Sequence, residues 1–237
     1  MSIHLENSQK VSGLFPVICA LAGNSFIAIL KFFGFFFSGS GSLFSEAIHS
    51  LADTLNQGLL MVGLKLSTKK ADDEFSYGYG QERFLWALIS ACGIFFLGAG
   101  VTIYHGINSF INKEEPHIST FIFVILIISF IIELFTLIFA WEDLKKNNQE
   151  KTLREILHLG DPTTIAVLLE DFVAVIGVII AFSSILLTKI TGSFYWDAGG
   201  SIIIGVLLGI VAVLLIGKNR DYLIGKNIPK EMKEKII

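Results

Sequence analysis

The sequence predicts an all-α integral membrane protein of six transmembrane helices with both termini cytoplasmic. Three observations predict it. Of the 237 residues, 53% are hydrophobic and only 16% are charged, apolar surface that a soluble fold does not easily accommodate. The apolar residues fall in runs of about 20 or more, long enough to span a hydrocarbon core of roughly 30 Å. The charges gather in short polar stretches between those runs, and the basic ones favour alternate stretches.

Taken in order, the spans are expected near Leu14 to Phe37, Leu43 to Leu66, Phe84 to Ile111, Ile118 to Trp141, Pro162 to Thr188 and Ala198 to Gly217. The opening stretch Met1 to Val11 lacks the basic flank of a secretory signal, and no small-residue cleavage site follows the first run, so that run is read as a span. Ser38-Gly39-Ser40-Gly41-Ser42 is a tight turn joining two antiparallel helices. Asp161 before Pro162 is a helix start, with a carboxylate to accept from free backbone N–H groups and a proline at the first helical position. The domain organisation follows: residues 1–217 form the six-helix unit, and residues 218–237 a cytoplasmic tail.

Lys65, Lys69, Lys70 and Arg83 follow span two; Lys145, Lys146, Lys151 and Arg154 follow span four; Lys218, Arg220, Lys226 and Lys230 follow span six. The opposite loops hold only Lys113 and Lys189, and this bias sets both termini on the cytoplasmic side. A net charge of −3 with dispersed basic residues gives no nucleic-acid surface. Cys19 and Cys92 both lie in apolar runs and are read as buried packing residues. Lys31, toward the outer end of span one, is expected to snorkel to the interface.

Ionisable groups inside the membrane are costly unless paired or hydrated, so each needs a reason. Span two carries Ser45, Glu46, His49, Ser50, Asp53, Asn56 and Gln57. His49 and Asp53, four apart, share a helix face one turn from each other. Such a pair can grip a metal ion, or be a histidine hydrogen-bonded to its neighbour for packing alone. Span five supplies Glu170 and Asp171 within an apolar run. Asp53 and Asp171 each lie ten residues from opposite membrane faces, about 15 Å deep at roughly 1.5 Å per residue, so both reach the midplane. His49, Asp53 and Asp171 can then coordinate a borderline cation such as zinc. The bland alternative is a structural ion pair, for which the span assignment offers no basic residue at that depth. Glu133 in span four can shuttle protons, line an inner vestibule or accept a helix-to-helix hydrogen bond.

Three stretches together resemble a known family. Gly41-Ser-Leu-Phe-Ser-Glu-Ala-Ile-His-Ser-Leu-Ala-Asp53 with Thr54-Leu-Asn-Gln57 is similar to the second membrane helix of cation diffusion facilitators, especially the branch that includes zinc transporter nine. Tyr77-Gly-Tyr-Gly80 resembles that family's loop between helices two and three. Asp161-Pro162 through Ala166-Val-Leu-Leu-Glu-Asp171 and Gly177 resembles helix five of the same branch. The resemblance implies export of a divalent cation, zinc ahead of manganese, iron, cobalt or cadmium, in exchange for protons. It also implies two ligands on each of helices two and five, four apart. Carried over, these are His49, Asp53 and Asp171, aligned by Gly177, while the remaining position falls on Val167, which cannot bind metal. Glu170, Asn56, Gln57 or water can complete the shell, although Glu170 projects about 100° from Asp171 on an ideal helix.

The family commonly ends in a cytoplasmic metal-binding domain that helps it dimerise, so a homodimer is implied. Residues 218–237 stand where that domain would begin, making the chain truncated there or naturally short. The loop acids Asp72, Asp73 and Glu74 have no accompanying histidines and read as solvated surface. His158 and the Asn147-Asn148-Gln149 stretch form no histidine-rich tract. The chain's compactness favours a bacterial inner membrane, and the resembled branch admits a mitochondrial one. Two rivals stand beside the transporter: an intramembrane metal-dependent hydrolase, with water on a His49-bound metal activated by Glu46 or Glu170, and a noncatalytic scaffold whose polar residues only join helices.

Overall fold

The computed structural model describes residues 3–147 and 162–225, with side chains from residue 21 onward apart from 143, 146, 147 and 162–166. Among the described residues every regular element is helical. Helix α1 runs Ile3–Ser38, α2 Gly41–Ser67, α3 Glu82–Gly93, α4 Val101–Asn112, α5 Thr120–Asn147, α6 Pro162–Thr191 and α7 Tyr195–Ile224. A π-helical segment, Ile94–Gly100, joins α3 to α4 without a break, so these three pieces form one span and the total is six. Five spans are apolar enough to cross a bilayer on composition alone, and α2, with its polar residues, is the sixth. Each expected span is found, with helix ends overrunning the apolar runs by up to a few turns. Helix α7 continues through 218–224, into the expected tail, whose residues from 226 lie outside the described residues, as do Asp161, His158 and Asn148.

The turns form where the local chemistry demands them. Gly39 adopts φ 65° and donates its N–H to Phe35 O at 2.8 Å, closing α1, and the Ser40 hydroxyl then accepts from Leu43 N to open α2. In the loop after α2, the Asp72 carboxylate accepts from the backbone N–H groups of Phe75 at 2.8 Å and Glu74 at 3.1 Å, and from the Tyr79 hydroxyl at 2.9 Å. Those donors hold Asp72 below the usual carboxylate range and push the Tyr79 phenol up. Gly78, at φ 77°, supplies the left-handed step that lets Tyr79 fold back, which accounts for the glycine inside Tyr77-Gly-Tyr-Gly80. Asp72, Asp73 and Glu74 are exposed, as the sequence led us to expect.

Helix α2 is central, packed against α1, α3, α4, α6 and α7, while α5 closes the bundle against α6 and α1. Leu43, Leu126, Val178, Ile185, Ile204 and Leu208 lie in one continuous core. Phe36, Ile131, Phe135 and Ile190 project outward with 60–78% exposure, so the outer surface is as apolar as the inside and suits lipid as solvent. Cys92 is half-buried and reduced.

Candidate metal centre between α2 and α6

Helices α2 and α6 run antiparallel in a register fixed at both ends. The Ser42 and Ser184 hydroxyls share a hydrogen bond of 2.8 Å near the outer end, and Asn56 Nδ2 donates to Glu170 Oε2 at 2.5 Å deeper in. The two rungs are fourteen residues apart on each helix, about 21 Å along the axis at roughly 1.5 Å per residue. Between them lies the stripe His49, Asp53, Asn56 at helical spacing.

His49 is 2% exposed, and its Nδ1 stands 3.5 Å from Asp53 Oδ1. That is an electrostatic contact and not a hydrogen bond, and among the described residues both ring nitrogens are buried without a hydrogen-bond partner. Buried polar groups are normally partnered, so an imidazole with both nitrogens open to a ligand calls for an explanation beyond packing. Glu170, 5% exposed, is held through Oε2 by Asn56, whose Oδ1 accepts in turn from Ser90 Oγ of α3 at 2.5 Å. Its other oxygen, Oε1, has no hydrogen-bond partner among the described residues. The charges of both Glu170 and Asp171 act on Asp53 across the interface.

His49, Asp53 and Glu170 therefore share one helix interface, and Asp171 follows Glu170 on α6. Sequence reasoning carried Asp171 over as a ligand and offered Glu170 among the groups that can complete the shell; in the structure Glu170 is the acid hydrogen-bonded to the α2 stripe, at Asn56, one turn beyond Asp53. Among the described residues, no three His, Cys, Asp or Glu side chains are gathered closely enough to hold a metal ion. Val167, at the position where the resemblance implied a ligand, is half-buried and supplies none.

Lys31 requires a correction. It does not snorkel: its side chain is fully buried, with Nζ donating to Glu46 Oε2 at 2.7 Å, Ser50 Oγ at 2.9 Å and Glu133 Oε1 at 2.6 Å. A basic residue does therefore reach the buried acids, though it pairs with Glu46 and Glu133 and not with Glu170 or Asp171. The reason is directional, since a long side chain on a helix leans back toward its N-terminus, here into the bundle and away from the outer face. Of the three readings of Glu133, the structure displays a link between helices, made to an ammonium. Gly177 lies where α6 passes Glu46, and a Cβ there would overlap Glu46 Oε1.

Asp197 was missed. Buried at the start of α7, it accepts from Ser40 Oγ at 2.7 Å, Gly41 N at 2.6 Å and Ser42 N at 3.2 Å, capping α2 from a different helix. The signal was there: an acid beside a span, opposite a serine-rich turn at the same membrane face.

A six-span helical bundle with an imidazole and carboxyl groups buried between its second and fifth spans defines the class, a polytopic membrane protein with ionisable groups in its interior. The Cation efflux transmembrane domain family matches residues 17–224, and the chain belongs to that family. It is 38% identical over 239 residues to "Proton-coupled zinc antiporter SLC30A9, mitochondrial" of Mus musculus, covering 100% of this chain and 41% of that protein. It is 38% identical over 223 residues to the Homo sapiens protein of the same name, covering 93% and 39%. It is 39% identical over 240 residues to "Metal tolerance protein C4" of Arabidopsis thaliana, covering 100% and 51%. The chain thus spans about two fifths to one half of the length of these relatives. The zinc antiporters carry "mitochondrial" in their names, and the bacterial inner membrane draws no support from them.

Proposed function

We propose that this chain is the membrane unit of a zinc-for-proton antiporter, with His49 and Asp53 of α2 as cargo ligands and Asp171 and Glu170 of α6 completing the shell. The observation that carries this reading is His49: a buried imidazole with neither nitrogen hydrogen-bonded, beside a carboxylate 3.5 Å away. Zinc accepts nitrogen and oxygen donors at about 2.0 to 2.2 Å, so the interface has to tighten around the ion. Glu170 Oε1, without a partner, is the donor we assign to the place Val167 leaves empty.

Exchange follows from ligand chemistry. Imidazole and carboxylates bind zinc only when deprotonated, so metal binding releases protons and protons entering from the far side expel the metal. Binding that draws α2 and α6 together and protonation that lets them part would alternate access between the two faces. The basic loops put both termini in the compartment that zinc leaves. Zinc stands ahead of manganese, iron, cobalt and cadmium because the relatives are named zinc antiporters. A mitochondrial membrane has their names in its favour, and the homodimer implied by the resemblance is part of this reading.

The rivals are weaker on particular grounds. A metal-dependent hydrolase on the His-Glu-x-x-His plan needs a second imidazole, and His105 is instead stacked on Phe44, ring centroids 4.4 Å apart. A scaffold gives no reason for the open nitrogens of His49, which a cargo ion does.

Reconstituted into proteoliposomes, the protein should take up zinc in proportion to an imposed proton gradient, and Asp53→Ala should reduce uptake at least a hundredfold. Undiminished uptake by Asp53→Ala would sink the ligand assignment, and uptake indifferent to the gradient would sink antiport.

A further inference from the structure

The second buried cluster, Lys31 with Glu46 and Glu133, is not used by the exchange just described. Its geometry is that of a coordinated cation. Three oxygens from two helices, Glu46 Oε2, Ser50 Oγ and Glu133 Oε1, surround Lys31 Nζ at 2.6–2.9 Å. Among the described residues, the other two carboxyl oxygens, Glu46 Oε1 beside Gly177 and Glu133 Oε2, are buried with no hydrogen-bond partner. Two carboxyl groups and a hydroxyl around one ammonium give the cluster more oxygen than the ammonium engages. Glu46 and Ser50 flank His49 on α2, and the Lys31 ammonium is near enough to act electrostatically on both His49 and Asp53.

We infer that Glu46 and Glu133 form a divalent-cation site adjoining the transport pair, and that Lys31 is the tethered cation that occupies it and confines metal to His49 and Asp53. This rests on the cargo assignment above. The chemistry is that of competition. A carboxylate pair with a nearby hydroxyl is an oxygen shell that hard and borderline dications accept. An ammonium on a four-carbon stem, held by the chain at very high effective concentration, fills the same place with a single charge. A dication arriving at His49 then meets a fixed positive neighbour, which weakens its hold and favours release; with the second site open, the metal would have a buried place to stay. Lys31 is accordingly a specificity-determining residue for where metal binds, beyond its part in joining α1, α2 and α5.

The test is zinc stoichiometry by calorimetry on the purified full chain in lipid nanodiscs. Wild type should bind one equivalent, Lys31→Met two, and Lys31→Met with Glu133→Gln one. Lys31→Met with Asp53→Ala should bind one, and Asp53→Ala alone none. A folded Lys31→Met protein that binds no more zinc than wild type would overturn the inference and leave Lys31 a structural staple. If Lys31→Met does not fold, Lys31→His keeps a group that can carry charge without metal and ligate with it, and it should also bind two; one equivalent there overturns the inference equally. The two readings fail separately. Wild type binding no zinc would count against the cargo assignment, while the gain from Asp53→Ala to the double variant still decides the role of Lys31.

Discussion

The outer joint and the midplane of α2 are both buried, both polar and both built around acids, yet they are satisfied to different degrees. At the outer end each named oxygen of Asp197 has donors, from Ser40, Gly41 and Ser42, and the Ser42 hydroxyl donates at 2.8 Å to the Asp197 carbonyl. Fourteen residues of α2 span the distance to the inner rung, and between lie His49 with two unpartnered nitrogens and Glu46 with one unpartnered oxygen, then Glu170 with another across the interface. A closed network fixes one geometry and rigidifies it. An open one retains capacity for something not yet bound. The difference separates a joint from a site, and it does so where burial and charge alone would not.

The largest effect we expect from the joint is on stability. Asp197→Ala removes the acceptor for a serine hydroxyl and two helix-opening N–H groups at once, at a cost of roughly 2–3 kcal/mol. Thermal unfolding in detergent should shift accordingly, while zinc affinity measured by calorimetry stays within about threefold of wild type, because the joint lies well away from the stripe. A loss of zinc binding in a protein that still melts like wild type would erase the distinction and make the outer joint part of the cargo path.

Ser90→Ala probes the border between the two kinds of region. Ser90 donates to Asn56, and Asn56 donates to Glu170, so the serine holds Glu170 through one intermediary. Losing that donor should cost about 1 kcal/mol of stability. If Glu170 Oε1 serves the cargo, a less firmly held Glu170 should also weaken zinc binding several-fold, read as a change in Kd. An unaltered Kd beside the expected stability loss would assign Glu170 to the joint and leave the shell to other donors.

How much of this was legible in the sequence depends on whether the evidence is periodic or directional. The six spans, the Ser38 to Ser42 turn and the His49–Asp53 face follow from spacing along one chain, and they appear in the structure. Lys31 was misread because the sequence places it along its helix without saying which neighbours it faces. Even so, Lys31 and Glu46 lie at similar distances on either side of the turn, with opposite charge, and that symmetry is a usable signal for antiparallel partners. Which of the adjacent acids Glu170 and Asp171 touches α2 was not legible for a related reason: it is set by helix rotation, and rotation is fixed by the Ser42–Ser184 and Asn56–Glu170 rungs, which are tertiary. Gly177 was recognised as an alignment mark, whereas its physical role is the room it leaves for Glu46.

The smallest effect we expect lies outside the membrane, in the loop where a third acid has its donors in place. Asp72 is fully exposed, and the Phe75 and Glu74 N–H groups with the Tyr79 hydroxyl hold its carboxyl below the usual range. A carboxylate whose folded value is depressed contributes order that is complete above its unfolded value, near pH 4, and that fades as pH falls through the folded one. The loop should therefore be indifferent to pH through the neutral range and loosen only in acid, and Asp72→Asn should loosen it at every pH. Amide hydrogen exchange of Glu74 and Phe75 reports this directly, because both N–H groups end on Asp72. Zinc transport should be unchanged in that variant: its donors and acceptor are already matched, and like the Asp197 joint it has nothing left over for a cation.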